Sequence, residues 1–237
     1  MQAGADLPTG AANDALQGLR LPPCVRWQVQ TLPALVQAAG EDVRALRARA
    51  RVRETASGRA LARTLLVQGG ASDGVVGRGA DGAPLWPAGW IGTISHTSAL
   101  LAVAVAPAHA LRGIGIDLEL SDGLRDTSPI DAICLNGAER ALADACALGP
   151  ARARVLFFSA KEALYKALYP SVRRYIDFLE VEVRACDAAA GTLTLAALPP
   201  LASTMPAACV WTATFCHAAG HVATAVTLLH AGATQKA

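Results

Sequence analysis

Two segments of the chain carry acidic side chains at spacings that suit a divalent-cation site. In GIGIDLEL, Asp117 and Glu119 are two residues apart on a predicted β-strand, so both side chains leave the same face. At a separation of about 6 Å and an effective dielectric of about 20, the two carboxylates repel each other by roughly 2–3 kcal/mol. A divalent cation relieves this repulsion, and oxygen ligands suit Mg²⁺, with Mn²⁺ as the alternative. Taken alone, the pair fits a solvent-exposed strand end better.

The segment FSAKEALYKAL places an acid and a base on one face of a predicted helix. Glu162 and Lys166 are four residues apart, so they project together. Two structural alternatives explain the pair equally well. One is an ordinary ion pair worth about 0.2–0.5 kcal/mol, and the other is a capping box in which Ser159 caps the helix and Glu162 folds back to it. The capping alternative weakens if the helix begins near Arg152.

Other residues that could take part in catalysis or binding give weaker signals. Ser95 and His96 end a predicted strand just before a turn, where a histidine is more often a hydrogen-bonded structural residue. The sequence has no phosphate-binding loop of the G-x-x-x-x-G-K-S type, and no Ser/His/Asp triad can be chosen with any specificity. A predicted basic helix forms a solvated face more often than an anion site. Its arginines are Arg44, Arg47, Arg49, Arg51, Arg53, Arg59 and Arg63.

Composition limits the class of protein. With 237 residues, 53% of them apolar, the chain can bury a substantial core. The longest apolar run, Ala99–Ala106, is far shorter than the roughly 20 residues of a membrane-spanning helix, and the N-terminus lacks a secretory signal pattern. We therefore expect a soluble, cytoplasmic protein without a membrane partner. Six cysteines without C-x-x-C spacing are expected to be buried free thiols, and the net charge of +2 does not argue for nucleic acid.

The order of the predicted elements indicates an α+β fold with two similar α/β halves. Residues 1–22 have no hydrophobic period and are predicted to form a loose N-terminal arm. Helix, strands, helix and strands then follow, which predicts an N-terminal half over 23–112, a C-terminal half over 113–237 and a ligand cleft between them. The predicted helices cover 41–68, 138–147 and 152–169, and Pro170 is expected to end the last of them. The predicted strands lie within 85–96, 100–107, 113–120, 180–185, 192–198, 208–215 and 221–229.

Four segments in chain order resemble the 4′-phosphopantetheinyl transferases. The closest likeness is to the group that includes enterobactin-synthase component D, the surfactin-type enzymes and relatives serving polyketide and nonribosomal peptide synthases. The segments are ETASGRALAR, APLWPAGWIGTISH, GIGIDLE and FFSAKEALYKALYP, and the resemblance covers roughly residues 40 to 180. It implies two halves related by a pseudo-twofold axis, with coenzyme A and Mg²⁺ bound between them.

The resemblance also implies catalytic roles. Asp117, Glu119 and Glu162 would coordinate Mg²⁺, which would hold the pyrophosphate of coenzyme A. Glu162 would act as general base for the serine hydroxyl of an apo acyl or peptidyl carrier protein. Lys166 would neutralise phosphate charge in the transition state. The expected products are a holo carrier protein and adenosine 3′,5′-bisphosphate, in secondary-metabolite pathways such as siderophore, polyketide or nonribosomal peptide biosynthesis.

Further residues would bind coenzyme A under the same resemblance, because its phosphates need cationic and hydrogen-bonding partners. These candidates are Ser95, His96, Arg53, Arg59, Arg78 and Lys166. Glu139, in the segment NGAERAL, matches an acidic position of the family, and Thr93 stands where a serine is usual. A chain that contains both halves is expected to work as a monomer.

Two other functions would use the same residues. A Mg²⁺-dependent phosphohydrolase or nuclease would combine the acids with water as nucleophile. A nucleic-acid-binding module would use the arginine helix and leave the carboxylates structural. The order and spacing of the four segments favour the transferase over both, so no nucleic-acid partner is expected.

Overall fold

The computed structural model describes residues 18–36, 42–124, 126–205 and 209–230. It is a mixed α/β structure. Its strands are β1 (Arg26–Thr31), β2 (Gly77–Arg78), β3 (Pro84–Leu85), β4 (Trp90–His96), β5 (Leu100–Pro107), β6 (Gly113–Leu120), β7 (Val181–Asp187), β8 (Thr192–Ala197), β9 (Val210–Ala218) and β10 (His221–Leu228). Its helices are α1 (Val43–Gln68), α2 (Ser128–Ile133), α3 (Gly137–Asp144), α4 (Pro150–Val172) and α5 (Leu201–Thr204), with a 3₁₀ turn at Phe178–Glu180. Within these ranges no helix combines the length and apolar character that a membrane crossing needs.

Two antiparallel sheets make up most of the structure. The smaller has the strand order β1-β5-β4, and the larger has the order β6-β10-β9-β8-β7. In each sheet the first strand along the chain pairs with the last, and a long helix lies between them in sequence. This shared arrangement agrees with the predicted pair of α/β halves. The pseudo-twofold axis and the boundaries of the halves stay predictions.

Both faces of β5 are buried, each against a different part of the molecule. On β5, Leu101, Val103 and Val105 pack against α1, while the alternate residues pack toward β6 of the larger sheet. Both sets are buried, which explains the unbroken apolar sequence LLAVAVAP. Helix α4 covers β6 and β10 and buries Phe157 and Leu164 completely. The two long helices therefore lie over the strands that meet at the centre of the molecule.

Two glycines on β6 allow α4 to approach the sheet unusually closely. A β-carbon at Gly115 would lie 1.8 Å from the carbonyl oxygen of Ala163, and one at Gly113 would lie 2.3 Å from that of Ala167. Backbone atoms at the centre of a packed core cannot move aside, so any side chain here would push the helix away. The glycines of GIGID thus fix the distance between the strand and the helix.

Side-chain hydroxyls join the two sheets where β4 lies beside β6. Thr93 Oγ1 accepts a hydrogen bond from the backbone N–H of Ile116, and Ser95 Oγ accepts one from that of Leu118, both at 3.2 Å. Both pairs advance by two residues in the same direction, so the strands run parallel here without forming a common sheet. Thr93 supplies the hydroxyl that a serine would supply.

Most predicted helices and strands are confirmed, one prediction about a helix end is wrong, and several elements, mostly short, were not predicted. Pro170 does not end the last long helix, which continues to Val172 and ends at Arg173 in the left-handed region, with φ of 54°. A proline in the final turn removes one hydrogen bond without stopping a helix that is packed along its length. Strand β1 has no predicted counterpart, because RWQVQT is too polar to stand out as a strand.

The predicted arm and the cysteines had mixed outcomes. Residues 1–17 lie outside the described residues, whereas Leu19 is buried in the core. None of the six cysteines, which all lie within the described residues, forms a disulfide, as predicted, but the expectation that all are buried is wrong. Cys134 is buried and the other five are half-buried, because they lie near the ends or edges of their elements.

Candidate active site

Strand β6 and helix α4 bring Asp117 and Lys166 into contact. Residues 113, 115 and 117 share the face of β6 that contacts α4, and the two glycines bring the helix within reach of Asp117. Lys166 extends from α4 to this strand, where its ammonium lies 2.7 Å from Asp117 Oδ1. The contact joins two predicted catalytic residues from distant parts of the chain.

The two carboxylate oxygens of Asp117 have different surroundings. The residue is buried, with 4% of its surface exposed. Oδ1 accepts hydrogen bonds from the Ser95 hydroxyl at 2.9 Å and from the Lys166 ammonium at 2.7 Å. Oδ2 is also buried, and it has no hydrogen-bond partner among the residues that the structure describes. Leaving a buried acceptor unpaired costs about 1–3 kcal/mol, so Oδ2 is an acceptor that can bind a ligand at this position.

Lys166 connects three elements through its ammonium group. Besides Asp117, it donates to Ser95 Oγ at 3.1 Å and to the carbonyl of Ile116 at 3.2 Å. These contacts use all three of its protons. The alternative in which Lys166 forms a simple helical ion pair with Glu162 is therefore wrong, because the ammonium is directed to the neighbouring strands.

The capping-box alternative for Glu162 is also wrong. Helix α4 begins at Pro150, so Ser159 lies in its interior. The Ser159 hydroxyl instead lies 2.9 Å from that of Thr224 on β10, where both side chains are fully buried. Glu162 is consequently not required to complete a helix end.

Glu119 and Glu162 both have raised pKa values. Burial raises the pKa of Glu119 to about 7, the charges of Asp117 and Glu162 add to the rise, and Lys166 opposes it. Burial also raises the pKa of Glu162, against the effect of Lys166 and with a contribution from Asp117. One ammonium group therefore does not neutralise the three carboxylates.

The donor set suits a hard divalent cation, although the acids are not gathered around a common point. All three side chains offer oxygen atoms, and Asp117 Oδ2 is unpartnered. No three His, Cys, Asp or Glu side chains within the described ranges are close enough together to hold a metal ion as they stand. In this structure Lys166 supplies the positive charge at Asp117.

A second group of charged residues lies where β4 ends beside α1. His96 Nδ1 is 3.5 Å from Glu54 Oε2, and Arg53 Nη2 is 3.4 Å from Glu54 Oε1. Arg53 also donates to the carbonyls of Pro33 and Ser98, while its buried Nε has no partner in the described part of the chain. The His96 side chain is 43% exposed and so is accessible to a ligand.

Glu54 was not predicted as a site residue, although it links Arg53 and His96, which were. A signal was present, because Glu54 is the one carboxylate in α1 among seven arginines. The other two candidate arginines are not part of this group: Arg59 is half-buried on α1, and Arg78 is exposed on β2 with its guanidinium over Gly82. Neither forms an ion pair with another described residue.

Two pockets flank α4 beside the acids. The larger, of about 530 Å³, runs from Lys166 along β4 to the β2–β3 hairpin and is lined partly by Trp86 and Tyr165. The smaller, of about 40 Å³, lies beside Glu162 and is bounded by Tyr175. The larger one has the volume of a small-molecule site.

Glu139, the fourth predicted acid, has a structural role. It is fully buried, and its carboxylate lies 2.8 Å from the ammonium of Lys161. It also accepts the backbone N–H groups of Asn136, at 2.9 Å, and of Val183, at 2.8 Å. The contact with Asn136 forms a capping box at the start of α3. Glu139 therefore anchors α3 to α4 and β7.

Fold and site together define an α/β protein with a carboxylate-rich site beside the junction of two antiparallel sheets. Two family models match it in succession: the 4′-phosphopantetheinyl transferase N-terminal domain over residues 42–106, and the 4′-phosphopantetheinyl transferase superfamily over residues 113–225. The chain belongs to the 4′-phosphopantetheinyl transferase superfamily, which confirms the resemblance in its sequence. The narrower group with enterobactin-synthase component D stays a prediction.

Three curated relatives carry the same family name. The chain is 36% identical over 151 residues to the 4′-phosphopantetheinyl transferase Svp of Streptomyces mobaraensis, covering 63% of this chain and 61% of the relative. It is 33% identical over 162 residues to Npt of Nocardia iowensis, covering 63% and 69%. It is 37% identical over 125 residues to PptT of Mycobacterium tuberculosis, covering 52% and 53%. The matched segments thus span from about half to just over two thirds of these relatives.

Proposed function

We propose that the chain transfers the 4′-phosphopantetheine group of coenzyme A to a serine of an apo acyl or peptidyl carrier protein. The products are a holo carrier protein and adenosine 3′,5′-bisphosphate. Membership of the superfamily and the names of the three relatives support this function. The observation that carries it is Asp117, held by Lys166 and Ser95 through one oxygen and unpartnered at the other.

A divalent cation, Mg²⁺ with Mn²⁺ as the alternative, would be held by Asp117, Glu119 and Glu162. When bound, it would neutralise the pyrophosphate of coenzyme A and hold it in place for attack. Its support is the all-oxygen donor set, the unpartnered Asp117 Oδ2 and the raised pKa of Glu119 and of Glu162. The side chains of Glu119 and Glu162 would have to rearrange, because they do not form a ligand cluster in this structure.

The residues of the chain would act on the phosphates and on the carrier serine. Lys166 contacts Asp117, which would hold the cation and through it the pyrophosphate. Its ammonium would therefore neutralise charge that develops during transfer. Glu162 would accept the serine proton, directly or through water, and its raised pKa makes it a stronger base than an exposed glutamate. Ser95 is buried and bonded to Asp117, which favours a role in positioning that carboxylate. Its predicted contact with coenzyme A stays a prediction.

The group around Glu54 would hold the 3′-phosphate of coenzyme A. Glu54 positions Arg53 and His96 at the same end of β4 as Ser95, and Arg53 offers an unpartnered N–H there. The pocket beside Lys166 would give room for another part of the ligand. Arg59 and Arg78 stay candidates without a structural partner. Action as a cytoplasmic monomer also stays a prediction.

The test is mass spectrometry of an apo carrier domain incubated with the protein, coenzyme A and Mg²⁺. We expect a phosphopantetheine adduct on the carrier serine with the unaltered protein. Asp117→Ala and Glu162→Ala are each expected to lower the labelling rate by about 10³-fold or more, because each removes a carboxylate that would hold the cation at the reacting phosphate. Near-normal labelling by either variant would refute the site.

A matched control is Asp122→Ala. Asp122 lies just after β6, but its carboxylate is exposed and pairs with Arg152. This variant is expected to label the carrier at the unaltered rate. A protein that instead releases phosphate from coenzyme A without modifying the carrier would be a phosphohydrolase, and the transferase proposal would fail.

A further inference from the structure

Cys146 and Cys186 form a pair of thiols that the proposed reaction does not use. Cys146 follows the end of α3, and Cys186 lies on β7, an edge strand of the larger sheet. Their sulfur atoms are 3.7 Å apart, although 40 residues separate them along the chain. Both side chains are half-buried, so a small reagent can reach them.

We propose that Cys146 and Cys186 are a redox modification site, which a low-molecular-weight disulfide such as oxidised glutathione converts to an intramolecular disulfide bond. A disulfide has an S–S distance of about 2.05 Å, so the sulfur atoms must approach by roughly 1.7 Å. Rotation about the Cα–Cβ bonds moves a sulfur atom by this distance while the backbone keeps its course. The fold therefore already brings the two thiols together.

The reaction balances through two successive exchanges. The thiolate of one cysteine attacks the oxidant, breaks its S–S bond, forms a mixed disulfide and releases one small thiol. The thiolate of the other cysteine then displaces the second small thiol and forms the protein disulfide. The two cysteines lose two electrons and two protons, and the oxidant gains them.

The surroundings of Cys186 make the exchange depend on pH. Burial, together with the hydrogen bond to Cys146, raises the pKa of Cys186 to about 12. Formation of the disulfide is therefore expected to accelerate as pH rises from 7 toward 9, because more of the reacting thiol is then ionised.

The bond would lock a contact behind the active site. Glu139 on α3 already binds Lys161 on α4 and the backbone of Val183 on β7. A Cys146–Cys186 disulfide would join α3 to β7 next to this contact, and it would close a loop of about 40 residues. Oxidation is thus expected to stabilise the larger sheet and its helices, and to leave the labelling activity unchanged.

The test compares reduced and oxidised full-length protein. Before alkylation, the protein treated with oxidised glutathione is expected to be about 2 Da lighter than the reduced protein. After denaturation and alkylation, we expect two fewer alkylated cysteines and one peptide pair joined through Cys146 and Cys186. The melting temperature is expected to rise by about 5–10 °C and to return after reduction. Cys146→Ser and Cys186→Ser should each prevent both changes, whereas the matched control Cys24→Ser should keep them.

Three outcomes would overturn the proposal. Full alkylation of all six cysteines after oxidation would show that the pair does not close. A bond that uses other cysteines would show that the observed contact is not the reactive one. A Cys146–Cys186 bond that leaves the melting temperature unchanged would show that it does not lock α3 to β7.

Discussion

Lys161 and Lys166 lie five residues apart on α4, and each pairs with a buried acid. The two acid–lysine pairs differ in how completely their polar atoms are hydrogen-bonded. Glu139 and Lys161 have 0% and 2% of their side-chain surface exposed. The Glu139 carboxylate binds Lys161 and two backbone N–H groups, and the Lys161 ammonium also donates to two backbone carbonyls. In contrast, Lys166 is 25% exposed, and Asp117 Oδ2 is unpartnered among the described residues.

The difference shows that burial alone does not separate a structural carboxylate from a functional one. Asp117 and Glu139 are both buried and both paired with a lysine of α4. Every oxygen of Glu139 is bonded, so a ligand could bind there only by breaking the fold. Asp117 retains one acceptor without a partner among the described residues, so it can bind a ligand and stay folded.

The largest effect on stability is expected from Lys161→Met. This change leaves the Glu139 carboxylate buried without its cation, which costs about 3–5 kcal/mol. Urea unfolding at pH 7 measures the loss, and the labelling rate per folded molecule should stay within about twofold of the unaltered value. A loss below about 1 kcal/mol would contradict the structural role of the pair.

The double variant Glu139→Gln, Lys161→Met serves as control for that experiment. It removes both charges, so it should be more stable than Lys161→Met alone, since no isolated buried charge remains. It also gives a measurement if the single variant does not fold. Equal stability of the two variants would mean that loss of packing, rather than an unpaired charge, explains the effect.

A smaller change in stability and a larger one in turnover are expected from Lys166→Met. In the presence of Mg²⁺ we expect labelling to fall by about 10–100-fold, equivalent to about 1.4–2.7 kcal/mol in the activation free energy. The loss in unfolding free energy should be smaller than for Lys161→Met, because Lys166 is 25% exposed and Asp117 keeps its hydrogen bond from Ser95. An unchanged labelling rate would reduce Lys166 to an ion-pair partner of Asp117.

Part of the site could be predicted because strands and helices fix which side chains share a face. The alternation of β6 and the spacing of Glu162 and Lys166 predicted the shared faces, whereas a common site was implied only by the resemblance to the family and stays a prediction. The partner of Lys166 could not be predicted, because it depends on how closely α4 approaches Gly115. Such a distance between elements is a property of the packed structure and has no local sequence signal.

Glu139 illustrates the opposite case, in which a local signal was available. The pattern from Asn136 to Glu139 is that of a capping box, which indicates a structural carboxylate. The resemblance to the family matched Glu139 to an acidic position and indicated no role for it. Pro170 is similar, because a proline usually ends a helix, and only the packing of α4 along its whole length lets the last turn continue past it.

The smallest expected effect is the pH dependence of the protein without a bound cation, which follows from Glu119. Its pKa rises from 4.5 to about 7 on folding, so between these values the folded state holds a proton that the unfolded state has lost. Stability should therefore fall as pH rises from about 4.5 to about 7, by about 1–2 kcal/mol after solvent screening. Urea unfolding at pH 5 and pH 7.5 with a chelator measures this fall. Glu119→Gln should reduce it, and Mg²⁺ should offset it at pH 7.5 by binding the ionised carboxylates. An identical pH profile for Glu119→Gln would mean that this carboxylate does not face the charges of Asp117 and Glu162. The contrast between the Asp117–Lys166 pair and the fully bonded Glu139–Lys161 pair would then rest on Asp117 alone.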